Sequence, residues 1–198
     1  MLNPNIETQH TNIKIKISEY LTLLVNINKE NGYYTDIREY NDSIELSYPI
    51  NTLYFEYYSK FNNPIILPNS LRLLKINGLF NQPLILPTGL RILTIDGIFN
   101  QPLILPTSLE YLRINGIFNQ PIILTNNIKE VNINGVFNQP IILPDRINCL
   151  NIEGEFNKPI ILPNSLKFFT IGGIFNQPII IPNNLSFFTM WTNHNPDV

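Results

Sequence analysis

Apolar positions recur along this chain with one fixed period. Phe stands at Phe61, Phe80, Phe99, Phe118, Phe137, Phe156 and Phe175, always 19 residues apart. Each is followed by an Asn: Asn62, Asn81, Asn100, Asn119, Asn138, Asn157 and Asn176. A short apolar run closed by prolines comes next, then apolar residues spaced L-x-x-L-x-I, then a Gly and the next Phe. Self-similarity at a fixed period marks a repeat architecture, and seven units without an insertion exclude chance. Two extended pieces are predicted in each unit. One is the L-x-x-L-x-I segment, as in Leu109, Leu112 and Ile114, whose last part alternates with period two. The other is P-I-I-L-P, as in Pro121 to Leu124, where the prolines shorten the piece and remove backbone donors. Gly at the eighteenth position of the unit, from Gly78 to Gly173, marks one corner. The stretch typified by Pro68-Asn69-Ser70 marks another.

Unit length decides what kind of coil this is. A helix of three turns needs about 11 residues, which leaves too few for a strand and two corners. The far side is therefore extended as well, and the chain is expected to be all-β or nearly so. Equivalent strands of successive coils run the same way, so parallel sheets are expected on two sides, with neighbours about 4.8 Å apart. Matching spacings on both sides predict a nearly straight rod, about 35–40 Å long for eight coils at that spacing. The invariant residues read as scaffold: the Phe column stacks from coil to coil, and the Asn column forms a hydrogen-bonded ladder at the corner.

Upstream, residues 42–60 read as a degenerate first coil, because Pro49 precedes Phe61 by the same 12 residues that separate Pro106 from Phe118. That register puts Phe55 and Tyr57 in the inward strand positions. Residues 1–41 do not repeat. Ile13-Lys14-Ile15-Lys16-Ile17 alternates and predicts a strand, while Ser18 to Asn28 fits either a strand or a short helix. A repeat array needs a cap over its end, and this segment is the candidate. The seven strong coils span 61–191, and residues 192–198 form a short tail.

With the frame assigned, the residues that vary carry the recognition. Positions 13, 15 and 17 of the unit point outward from the L-x-x-L-x-I strand. The first of these rows is unusually apolar, and exposed apolar patches mark contacts. Aromatics and Arg are the residues enriched at binding hot spots. The candidate interaction residues are Tyr54, Leu73, Ile92, Tyr111, Arg113, Phe168, Phe187 and Trp191. On the far strand the sixth position is Ile in every unit, from Ile66 to Ile180; this row is either an interface or partly buried between the prolines. A third candidate is the last coil, Phe187 to Trp191, which has no visible capping unit and predicts a homodimer through that end.

Composition narrows the remaining chemistry. The chain has 198 residues, 44% hydrophobic and 14% charged, with a formal net charge of −2. That balance argues against a nucleic-acid surface and against a polybasic membrane patch. Alanine is absent and Ile, Tyr and Phe abound, which favours strands over helices. The single cysteine, Cys149, forbids an internal disulfide. With no secretory pattern at Met1 and no membrane-length apolar run, the expectation is a soluble intracellular protein. His10 and His194 have no ligand-spaced neighbours, and Cys149 sits in an outward row, so no metal, cofactor or catalytic residue is assigned. Asp96 and Glu153 share a position three coils apart, roughly 14 Å at the strand spacing, too far for a joint acid–base task.

The unit F-N-Q-P-I, followed by L-P-x-S-L-x-x-L-x-I, resembles the FNIP repeat, a branch of the leucine-rich repeat superfamily known from social amoebae and giant viruses. The leucine-rich pattern itself is met at Leu71, Leu74 and Ile76. The resemblance implies a right-handed leucine-rich-repeat-like solenoid and a non-catalytic protein-interaction scaffold, in a virus–host contact or, as in members carrying an F-box, as an adaptor of a ubiquitin ligase. Residues 1–41 lack the opening Leu-Pro run of an F-box. Two other classes fit less well. An ice- or surface-binding β-solenoid needs a regular Thr array, whereas Thr94, Thr170 and Thr189 are irregularly placed. A polysaccharide-active β-helix enzyme needs an acidic cluster that is missing.

Overall fold

The structure, a computed structural model, describes residues 51–55 and 60–191 in full, and of the preceding chain only the backbone of strands at 11–16, 22–28, 32–37 and 44–45. Three strands open the chain: β1 (Thr11–Lys16), β2 (Thr22–Asn28) and β3 (Gly32–Ile37). They pair antiparallel in sequence order. From β3 onward the pairing is parallel. The sheet continues through β5 (Thr52–Phe55), β7 (Leu73–Ile76), β8 (Ile92–Ile95), β9 (Tyr111–Gly116), β10 (Glu130–Gly135), β11 (Cys149–Gly154), β12 (Phe168–Ile171) and β13 (Phe187–Met190), giving 11 strands in one sheet. Two short strands, β4 (Ile44–Glu45) and β6 (Ile65–Ile66), pair on the far side. No helix occurs among the described residues.

From β7 onward each residue pairs with the one 19 positions later, as Leu73 with Ile92 and Cys149 with Phe168. Six inward columns follow from that register. In the central coil they are Phe118, Ile122, Leu124, Ile128, Val131 and Ile133, all buried. Burying each such side chain stabilises by about 1.5–3 kcal/mol. The phenylalanine rings stack with centroids 5.8–6.3 Å apart and planes within 2–8° of parallel.

Each coil turns twice. After the far segment the backbone N–H at position 11 donates to the carbonyl at position 8, as from Leu109 to Pro106 at 3.0 Å. At the other corner Gly97 has φ +97°, a conformation that L side chains rarely adopt. A Cβ there would lie 2.7 Å from the Gly78 oxygen of the preceding coil. Both the dihedral and the close approach demand glycine.

The all-β parallel solenoid of 19-residue coils matches the sequence expectation, and three particulars differ. First, parallel sheets on two sides were expected, but only one sheet runs the length of the array. Beyond β6 the far segments join no ladder. They are still extended: Leu84 and Leu86 are buried while Ile85 between them is exposed. Prolines at both ends of each segment remove donors. Second, the rod is not parallel-sided. Hydrogen-bonded strands lie about 4.8 Å apart, whereas the stacked rings lie about 6 Å apart. The coils splay on the side away from the sheet, which makes that side convex.

Third, the first coil is longer than 19 residues. Leu53 pairs with Leu74, and Ile44 with Ile65, an offset of 21 on both sides. Leu53 and Phe55 are buried in the inward strand positions, and Tyr57, expected inward, lies outside the described residues. The two additional residues fall within 56–60, where later coils have their Asn-Gly corner.

Candidate interaction surface

The outward rows lie side by side on the long sheet. Leu73 and Ile92 are half-buried by their neighbours, and Tyr111, Phe168 and Phe187 are 40%, 46% and 52% exposed. Phe168 and Phe187 are register partners. Trp191 lies over Gly172, occupying the space a side chain there would need, and remains 41% exposed. Gly172 stands where other coils carry Asn, Asp or Glu. The structure thus gathers Phe168, Phe187 and Trp191 at one end of the sheet, with Tyr111 and the exposed Arg113 nearer its middle. Tyr54 does not join them as expected. The offset of 21 pairs it with Lys75, so it belongs to the row of Arg113, and Thr52 takes its place beside Leu73.

Polar groups on this face are mutually engaged. Asp96 lies 3.6 Å from the Lys75 ammonium and accepts a hydrogen bond from Asn115 Nδ2 at 2.6 Å. Glu130 accepts from Asn132 Nδ2 at 2.7 Å. Burial and the nearby Glu130 carboxylate push the Cys149 thiol up from its ordinary value, which disfavours a thiolate. His10 and His194 lie outside the described residues. So does the chain after Trp191; Phe188 and Met190, in inward positions of the last described coil, are 40% and 43% exposed.

At the turn edge a charge clamp spans three coils. Glu110 Oε1 accepts from Arg91 Nε at 2.7 Å, and Oε2 from Lys129 Nζ at 2.5 Å. Bonds to Lys129 and Arg91 hold the Glu110 carboxyl below the usual carboxylate range.

The Asn column forms a continuous ladder. The backbone N–H of each Asn donates to the side-chain oxygen of the Asn one coil earlier, at 2.8–3.0 Å over six rungs. In five coils the following Gln donates to the same oxygen at 3.2–3.4 Å. Lys158 takes the Gln position in the remaining coil. This side-chain ladder runs along the array just before the far segments, where backbone pairing has stopped.

The FNIP repeat model matches two stretches, residues 80–116 and 137–173, each two coils long. Those two stretches are FNIP repeats. A solved structure of CroV588, a circular leucine-rich-repeat protein of a giant virus, is 30% identical to it. That alignment covers 72% of this chain and 30% of the CroV588 chain, with a TM-score of 0.47. The chain therefore spans less than a third of that protein. No curated protein matches it.

One feature of the array that holds these FNIP repeats went unassigned among the expected interaction residues. The isoleucines at the sixth position are not sheltered by the prolines. Ile85, Ile104, Ile123, Ile142, Ile161 and Ile180 are 85–90% exposed, and Ile66, whose strand is paired, 65%. Alternation within P-I-I-L-P was the available signal; what it could not supply was the splay that separates one rung from the next. The Glu110 clamp was missed for another reason: its partners occupy the same position in neighbouring coils, and only the stacking makes them contacts.

Proposed function

We propose that this chain is a non-catalytic protein-interaction scaffold whose sheet face takes a protein partner. Leucine-rich-type repeats commonly mediate contacts between proteins, and the observation that carries the reading here is the set of outward aromatics. Tyr111, Phe168, Phe187 and Trp191 expose 40–52% of their surface, Tyr111 and Phe168 on strands whose inward residues are buried. A rigid frame presenting large side chains binds at low entropic cost, and aromatics dominate hot spots. Charges on the face are mixed, with Lys75 and Arg113 beside Asp96, Glu130 and Glu153, which suits a mixed protein surface better than a polyanion. Contact with a host protein and substrate delivery to a ubiquitin ligase are the two finer roles, and both use this face in a cytoplasmic setting. A homodimer through the last coil depends on the chain beyond Trp191, outside the described residues, and is not part of this reading.

The test compares partners captured by the wild-type chain with those captured by Tyr111→Ala and Phe168→Ala. Both side chains point outward, so the variants keep their thermal melts. A hot-spot truncation should weaken binding at least ~10-fold. Unchanged recovery with both variants removes the sheet face from the reading.

A further inference from the structure

The convex face opposite the sheet carries a ridge that nothing above employs. Its isoleucines stand 85–90% exposed while the residues on either side of each point into the core, as Ile122 and Leu124 do around Ile123. Positions 4 to 7 of every coil from Pro83 to Ile181 contain no charged residue. At on the order of 100 Å² of side-chain surface per exposed Ile, the row alone reaches roughly 600 Å². That equals the largest apolar patch of a typical monomer, before the flanking prolines are counted. We infer that this ridge is where two copies of the chain meet, as a weak two-fold dimer.

Pitch selects the partner. Rungs that recur once per 19-residue coil, separated by grooves, mesh best with a surface of the same pitch. A second copy has it by identity. A two-fold axis lying in the contact plane and crossing the array at right angles reverses the row and lets each rung of one copy enter a groove of the other. A two-fold axis along the array would instead set like rungs head-on. The ridge offers a partner no charge to pair with, so apolar meshing is its available mode of contact.

Curvature sets the strength. Two convex faces touch over their centres, so Ile104, Ile123 and Ile142 make the contact and Ile66 and Ile180 stand clear. A few rungs with their prolines bury about 500 Å² per copy, at the low end for specific interfaces, where weak and transient contacts lie.

The full chain, followed by sedimentation equilibrium from roughly 1 to 100 µM, should pass from monomer to dimer mass. Combining Ile104→Ser, Ile123→Ser and Ile142→Ser should raise the dissociation constant at least ~10-fold while leaving the thermal melt in place. Combining Ile66→Ser with Ile180→Ser should leave it unchanged. In a Cys149→Ser background, Ile123→Cys should oxidise to a cross-linked dimer and Ile180→Cys should not. A chain that stays monomeric throughout overturns the proposal, whatever else the ridge binds. So does a dimer indifferent to the central substitutions, or one that cross-links at 180 but not at 123.

Discussion

Asn119 shows how a single side chain replaces a missing backbone ladder. Its N–H donates to Asn100 Oδ1 at 2.8 Å, and its own Oδ1 accepts from the Asn138 N–H at 2.9 Å and from Gln139 Nε2 at 3.2 Å. Asn119→Ala strands the Asn138 donor in the array, so urea melts should register a loss of about 1–3 kcal/mol. Asn119→Asp retains the acceptor and should lose less; equal losses in the two variants would mean that packing, not the acceptor, is what matters. Glu110 acts between coils through charge instead. Its carboxyl pKa is lowered in the folded chain by Lys129 and Arg91. Such a group contributes stability above its unfolded pKa, and that contribution is lost as pH falls through the folded value. Both cations are more than half exposed, so Glu110→Gln should cost only about 0.5–1 kcal/mol near neutral pH. The difference from wild type should vanish once the carboxylate is protonated, as melts across an acid series would record.

Among the elements, legibility follows from how local each cause is. The strand β9 was readable because Leu112 and Ile114 alternate with outward Tyr111 and Arg113, and burial decides alternation within a few residues. Corner glycines were readable for the same reason: Gly97 and its equivalents meet a steric demand that recurs at every turn. The Phe and Asn columns could be named from their spacing alone, since stacking equal units brings equal residues together. Pairing on the far side could not be read. Extended residues pair only if successive coils stay close, and spacing is set jointly by ring stacks, prolines and the sheet rather than by any one segment. The register of the first coil failed for a related reason. Pro49 aligns with Pro106 at 19 residues, but the two-residue excess between Phe55 and Phe61 moves the true equivalence to 21. Pairing on both sides reveals that excess, and it relocates Tyr54 from the aromatic row to the polar one. The exposure of the candidate face lay beyond the pattern as well: outward position predicts access, but Leu73 and Ile92 are half-covered while Phe168 is not.

At the scale of the whole molecule each coil touches only its neighbours, so stability should behave as a sum over units and their interfaces. The β7-to-β13 region is uniform enough to test this directly. Deleting residues 100–118 joins Phe99 to Asn119 and recreates the Phe-Asn junction. Phe80, Phe99 and Phe137 then stack in sequence, and Ile92 comes to pair with Glu130 as it formerly paired with Tyr111. No inward column is broken, because every remaining residue keeps its position in the unit. The shortened chain should therefore fold to the same β spectrum, with a lower melting temperature and a denaturant m-value smaller by roughly an eighth, in proportion to the surface buried. Deleting residues 100–108 instead removes about half a unit, drives the polar strand positions into the core and leaves the Asn81 oxygen without its rung. That chain should not fold cooperatively. If both deletions unfold the protein, the array is a single cooperative block nucleated at one place; if both are tolerated, the 19-residue register is not what holds the coils together.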